Sequence, residues 1–320
     1  MGLLLLVPGC AATSPVDRAV KSDLVWPLEQ PRIRLHSVIP MEGRGRRTMS
    51  KLLAAVGAGQ VDASFLRPYA VAWDGEDLVV ADPDTGRVAR IGRRGRVVMS
   101  DRVLFRTPVG VAVCSGGIVV SDSEAGAVAL LNRDLDLERW LARELARPTG
   151  VACEGERVFV SETGRHRLLI IGPDGTRSPF GERGSGPGQF NFPTSIAVSG
   201  SELLVADTMN FRIQRLDLAT GDYVGRFGEL GDAPGQMPRI KGIAVDDAGQ
   251  VWVADAHLDR VALYDLAGTY LTSIGGSGSG PGEFAFPAGI AVADNGRIAV
   301  VDSLNRRLQV FGLLPEPSTR

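Results

Sequence analysis

Three cysteines and three histidines are all that 320 residues offer to thiol or imidazole chemistry. A zinc site takes three or four protein ligands, so this scarcity leaves little for catalysis or metal work. No Ser-His-Asp or Cys-His set is legible, and Gly-x-Ser-x-Gly is absent. Charge of one sign is missing as well. The 35 basic and 37 acidic residues nearly cancel, which removes the basic field that an obligatory nucleic-acid partner requires. Aromatics are sparse at 6%, too few for the stacking platforms of an RNA-binding face. No run approaches 18 apolar residues, so no segment reads as a membrane span. What the chain does have is 40 glycines and 19 prolines, the composition of a chain that turns often.

The N-terminal Leu3-Leu4-Leu5-Leu6-Val7-Pro8-Gly9-Cys10 is an apolar run ending in a small residue and a cysteine. It resembles the lipobox of bacterial lipoproteins. The resemblance implies a leader over residues 1–10, lipid on Cys10, a tether over 11–30 and a location in the cell envelope, facing the periplasm or exterior. Cys114 and Cys153 then remain. Both end apolar strand runs in adjacent repeats, one position out of phase. Side chains one position apart point to opposite faces of a strand, so buried free thiols are expected rather than a disulfide.

One unit recurs through the chain: Pro-x-x-Val/Ile-Ala-Val, a short gap, Val-Val-Ala-Asp, then an Arg five residues after the acid. The acids are Asp82, Asp122, Glu162, Asp207, Asp255 and Asp302. The arginines are Arg87, Arg167, Arg212, Arg260 and Arg307, with Ala127 in the second copy. The apolar runs are short, β-branched and bounded by Gly, Asp, Asn or Pro, so they read as strands and tight turns. Four strands per unit make an antiparallel blade, and six blades bury one another's faces radially. The fold class is therefore all-β, a six-bladed β-propeller over residues 31–312, with blades over 68–312. The last unit lacks a fourth strand, and residues 31–40 alternate as the strand that would close it. Residues 41–60 read as a basic turn and a short helix, and 313–320 as a tail.

The segments Ala206-Asp207-Thr208-Met209-Asn210-Phe211-Arg212-Ile213 and Val301-Asp302-Ser303-Leu304-Asn305-Arg306-Arg307-Leu308 resemble the NHL repeat. So do the linkers Phe180-Gly181…Pro187-Gly188-Gln189-Phe190 and Ile274-Gly275…Pro281-Gly282-Glu283-Phe284. The resemblance spans most of the chain and points toward bacterial NHL-repeat lipoproteins. It implies the propeller fold, while the family's functions run from RNA binding and protein binding to sensing and lyase chemistry.

The six acids are expected to be structural. Each would pair with its Arg and with turn N–H groups, because one acid on each of six blades does not converge on one ion. The glycine-rich linkers lack Gly-Lys-Ser/Thr and a following helix, so they are turns and not phosphate cradles. No cofactor is expected. The residue after each blade proline should line the channel mouth, giving Tyr69, Val109, Thr149, Thr194, Lys241 and Ala288, crowned by Arg87, Arg167, Arg212, Arg260 and Arg307. That face suits a protein, peptide or glycan ligand. The alternative is a metal-dependent hydrolase or lyase, lactonase-like or amidating-lyase-like, using the central channel. Its candidate ligands would be His166 and His257, in loops of blades three and five.

Overall fold

The computed structural model describes residues 24–27, 32–41, 65–92, 97–101 and 104–314. Cys10, the leader, most of the expected tether, the basic turn and helix over 42–60, and the tail beyond 314 lie outside the described residues.

Six antiparallel sheets form the blades. In each, the Val/Ile-Ala run is the inner strand, beside the channel. In blade two the strands are Pro108–Cys114, Gly117–Asp122, Ala127–Leu131 and Leu137–Ala142. Blade four has Pro193–Ser199, Glu202–Asp207, Arg212–Asp217 and Tyr223–Phe227. Inner strands touch in a complete ring, the sixth against the first. Among the described residues no helix is long and apolar enough to cross a membrane.

The ring closes through the N-terminal strand. Ile33–Pro40 pairs antiparallel with Arg307–Leu313, the third strand of blade six, from Ile33 opposite Leu313 to Pro40 opposite Arg307. Val25–Trp26 adds a fifth strand outside it. These two residues fall within the stretch expected as tether, so the blade begins earlier than the expected boundary at residue 31. Trp26 packs edge-on to Phe311, with ring centroids 5.8 Å apart, which gives the added strand an apolar reason to stay.

Six apolar clusters fill the six seams between blades. Each draws one face from one blade and the opposite face from the next, as period-two strands require. The seam between blades two and three holds Ala112, Cys114, Val119, Val128, Val151, Cys153, Val158 and Leu169. Here the free-thiol expectation fails: Cys114 and Cys153 form a disulfide with Cα atoms 5.8 Å apart. Opposite-face side chains cannot meet within one sheet, but these strands belong to two blades whose faces confront each other. The one-residue phase difference is what turns Cys114 and Cys153 toward the same seam.

Candidate binding site at the channel mouth

The repeat's inner-strand motif builds the channel in layers. Its β-branched position contributes one residue per blade: Val71, Val111, Val151, Ile196, Ile243 and Ile290. All six are buried, none more than 8% exposed. This hydrocarbon girdle separates two cavities. The upper one, at the mouth, measures about 140 Å³, and the lower one about 640 Å³. Five of the six girdle residues line both. Burying each such side chain is worth roughly 1.5–3 kcal/mol, so the girdle is a stabilising core as well as a septum. Alanines follow it, then Trp73, Val113, Cys153, Val198, Val245 and Val292 around the lower cavity. Trp73 Nε1 donates to the Ala291 carbonyl at 3.2 Å. Arg297 stacks on Trp73 at 4.6 Å and pairs with Glu76 at 3.0 Å.

Above the girdle the chain must come close to itself. A Cβ on Gly110 would collide with the Thr149 carbonyl, and one on Gly150 with the Thr194 carbonyl. Glycine at these positions lets adjacent blades meet around a narrow neck.

Tyr69, Val109, Thr149, Thr194 and Lys241 line the mouth cavity, together with Arg147, Thr163 and Ser195. Ala288 does not, being 1% exposed and buried in the seam. The threonines work chiefly as latches between blades. Thr163 Oγ1 donates to Pro193 O at 2.6 Å, and Thr149 Oγ1 donates to Thr194 O at 3.0 Å. Thr194 Oγ1 shares a 2.6 Å bond with Thr208 Oγ1, whose next neighbour is Ile240 O. Ser121 Oγ donates in the same way to Thr149 O.

Lys241 is different. Its ammonium lies 5.9 Å from the centroid of Tyr69 and 5.5 Å from that of Phe286, held by two ring faces. Arg239 also lies over the Phe286 ring, 5.4 Å from its centroid.

None of the five arginines expected to crown the mouth lines it. Arg212 and Arg307 are 2% and 9% exposed. Arg212 Nε donates to Asp207 at 2.8 Å, and its Nη atoms donate to the carbonyls of Ser185, Gly186 and Gln189. Arg307 repeats the pattern with Asp302 and the carbonyls of Ser279, Gly280 and Glu283. The glycine-rich linker wraps each guanidinium, so these residues clamp a loop to a blade and face no solvent. Arg167 joins Glu162 at 2.6 Å, Arg87 donates to the Ser100 carbonyl, and Arg260 to the Gln236 carbonyl at 3.0 Å.

All six acids are buried, as a ring one to a blade. Asp82 accepts from the main-chain N–H groups of Leu66, Arg67, Asp84 and Thr85. Asp122 accepts from Arg106, Thr107 and Ala125. Blade five departs from the expected pairing. Asp255 Oδ2 and Arg260 Nε are both buried with no hydrogen-bond partner among the described residues. In blades four and six the N–H of Asn191 or Ala285 reaches the acid. Pro238 occupies that place in blade five and has no N–H to give. Burial pushes the Asp302 carboxyl up, against the hydrogen bonds from Ala285, Asn305 and Arg307 that pull it down.

Neither His166 nor His257 lines the channel. His166 Nδ1 accepts from the Phe192 N–H at 3.2 Å, its ring 4.3 Å from that of Phe192. Burial, then the charge of Arg183, lowers its pKa against an opposing pull from Asp207. His257 is exposed in its loop, and its N–H donates to Asp255 at 2.8 Å. Among the described residues no three His, Cys, Asp or Glu side chains stand together as metal ligands.

Arg147, Arg239 and Phe286 were not among the residues singled out from the sequence. Arg147 and Phe286 stand immediately before a blade proline and have left-handed backbone, with φ of 54° and 57°. The position before the proline is thus a second rim class, readable once the repeat is aligned.

Comparison with known proteins bears on the fold. Residues 235–316 match the family model DUF5128, described as a 6-bladed beta-propeller. No curated protein matches the chain. Among solved structures, a gluconolactonase from Xanthomonas campestris superposes with a TM-score of 0.65 at 16% identity, covering 94% of this chain and 99% of that one. An auxiliary nutrient binding protein from Bacteroides thetaiotaomicron gives 0.62 at 12% identity, covering 79% and 70%. A virginiamycin B lyase from Staphylococcus aureus gives 0.58 at 14%, covering 78% and 96%. At these identities the likeness is one of fold.

Proposed function

We propose that the protein is an extracytoplasmic binding or scaffold module, anchored through lipid on Cys10, which offers its channel mouth to a protein, peptide or glycan partner in the cell envelope. One observation carries this reading. The channel wall is hydrocarbon at the girdle, while the mouth above it offers Lys241, Arg147 and Tyr69 on a rigid ring. Those groups can hold a polar or charged ligand by ion pairing, hydrogen bonding and stacking. The NHL character of the repeats belongs to the same proposal, resting on the clamps around Asp207 and Asp302. The Cys114–Cys153 disulfide supports the compartment, since structural disulfides persist in oxidising surroundings. The nutrient binding neighbour is compatible with a binding role but supports the fold alone at its identity.

The gluconolactonase and lyase neighbours keep a metal-dependent hydrolase or lyase as the competing reading. The donor set does not fit it. A divalent ion needs three or four convergent ligands, and the channel lining at mid-depth supplies valine and isoleucine. Elemental analysis of the full chain, purified without tag histidines or chelators, separates the two. We expect no stoichiometric divalent metal, and unchanged partner capture in the double variant His166→Ala, His257→Ala. One equivalent of metal lost in that variant would establish the competing reading.

A further inference from the structure

The mouth cavity has a chemical bias that a general binding face does not need. Arg147 and Lys241 line it, and no Asp or Glu does. Among the described residues no carboxylate comes within ion-pair distance of Arg147, Arg239 or Lys241, whereas Arg165, Arg167, Arg212 and Arg307 all have one. The Lys241 ammonium lies over the two aromatic faces of Tyr69 and Phe286. Three chemistry-bearing residues therefore sit on alternate blades: Tyr69 on one, Arg147 on three and Lys241 on five. Ala288, small and buried on blade six, leaves the path over which Lys241 reaches toward Tyr69.

The hydroxyls sort the same way. Thr149 and Thr163 spend their protons on neighbouring carbonyls. Ser195 Oγ instead accepts from the Ile243 N–H at 3.1 Å, and among the described residues nothing takes its own proton. What faces the cavity is thus a set of donors: an ammonium, a guanidinium and the hydroxyls of Ser195 and Tyr69. Beneath them the girdle is hydrocarbon, so a charged group entering the mouth stops there. A volume of about 140 Å³ admits a terminal group and not a folded segment.

We propose that the mouth is an oxyanion site, taking a carboxylate or phosphate group of the ligand between Lys241 and Arg147, with Ser195 and Tyr69 as additional donors. This rests on the reading of the mouth as a binding face, and it names the chemistry recognised there. Charge-assisted hydrogen bonds to a guanidinium are the strongest ordinary contacts a protein offers such a group. The interaction weakens with salt, because the rim is open to solvent.

The test is a ligand-observed NMR titration of the full chain at low ionic strength, using glucuronate against glucose and, separately, inorganic phosphate. We expect at least tenfold tighter binding of glucuronate or phosphate than of glucose. Lys241→Met or Arg147→Met should remove that preference. Lys241→Arg should keep it, and so should Arg139→Met, which deletes an exposed charge elsewhere. Whichever of glucuronate and phosphate binds tighter identifies the kind of oxyanion. Equal binding of glucuronate and glucose with no binding of phosphate, or a preference that survives in Lys241→Met, overturns the proposal. Crosslinking from Val109 in the wild-type protein keeps the two ideas apart. Partner capture by a wild-type mouth that shows no anion preference defeats only the oxyanion site, whereas no capture by the wild type defeats the binding face itself.

Discussion

Blades four and six are closed by one polar clamp, and blade two by something else. In blade four, Asp207 takes bonds from Asn191, Asn210, Arg212 and Gln214, and Arg212 ties the linker carbonyls down. Blade six repeats this with Ala285, Asn305, Arg307 and Gln309 around Asp302. Blade two has Ala127 and Ala129 where the guanidinium and amide would stand, and among the described residues Asp122 has main-chain donors alone. Its inner strand is instead bonded covalently to blade three. Blade five is the intermediate: it keeps Asp255 and Arg260, but Leu258 and Ala262 stand where blade four has Asn210 and Gln214, and Pro238 replaces one main-chain donor. The clamp holds blades four and six at the end where the linkers enter, whereas the disulfide ties blade two at the other end of its inner strand, where Cys114 pairs with Gly117 and Cys153 borders the lower cavity.

Breaking a clamp should have the largest effect. Arg307→Met leaves the Asp302 carboxylate buried without its partner and frees the linker carbonyls, a loss of about 3–5 kcal/mol. Because Arg307 begins the strand that pairs with Ile33–Pro40, thermal unfolding should also become less cooperative. In blade two, Cys114→Ala with Cys153→Ala opens a loop of 39 residues and should lower stability by about 2–4 kcal/mol in denaturant titrations. Reductant should reproduce the loss in the wild type and do nothing further to the variant. In blade five the comparison can be sharpened in the other direction. Pro238→Ala supplies the missing N–H to Asp255 and, after the greater freedom of the unfolded chain is set against it, should raise stability by about 1 kcal/mol. No gain would mean that the backbone at 238 does not aim at the carboxylate.

The smallest expected effect is a pH dependence at the seam of blades three and four. His166 must be neutral for Nδ1 to accept the Phe192 N–H, and its folded pKa lies below the ordinary 6.5. The unfolded state then binds more protons between those two values, so this contribution is complete above about pH 6.5 and declines as pH falls through the folded pKa. His166→Asn should flatten the part of the stability profile that lies in that window.

Much of this architecture was legible because a repeat states the same thing six times. The Val/Ile-Ala alternation gave the inner strands, and a sixth unit without a fourth strand pointed to residues 31–40. The site was less legible, for physical reasons. The test applied to Cys114 and Cys153 was the pairing rule of one sheet, while the contact is made between two. Arg212 and Arg307 look solvent-facing as members of a loop motif, and only the folded linker, packing its carbonyls on them, removes them from the surface. Val25 and Trp26 carry too short a pattern to read as a strand until Phe311 is placed beside them. Lys241 could be found from its phase in the repeat, but its lack of an acidic partner among the described residues is a property of the assembled rim.

The central claim is that the channel mouth, and not the opposite end of the ring, is the working surface. Site-specific photocrosslinking in the source cells addresses it most directly, with the probe at Val109 in the mouth or at Asn295 beside the lower cavity. The account predicts a discrete adduct from Val109 and none from Asn295. An adduct from Asn295 alone would contradict it and move the binding surface to the other face.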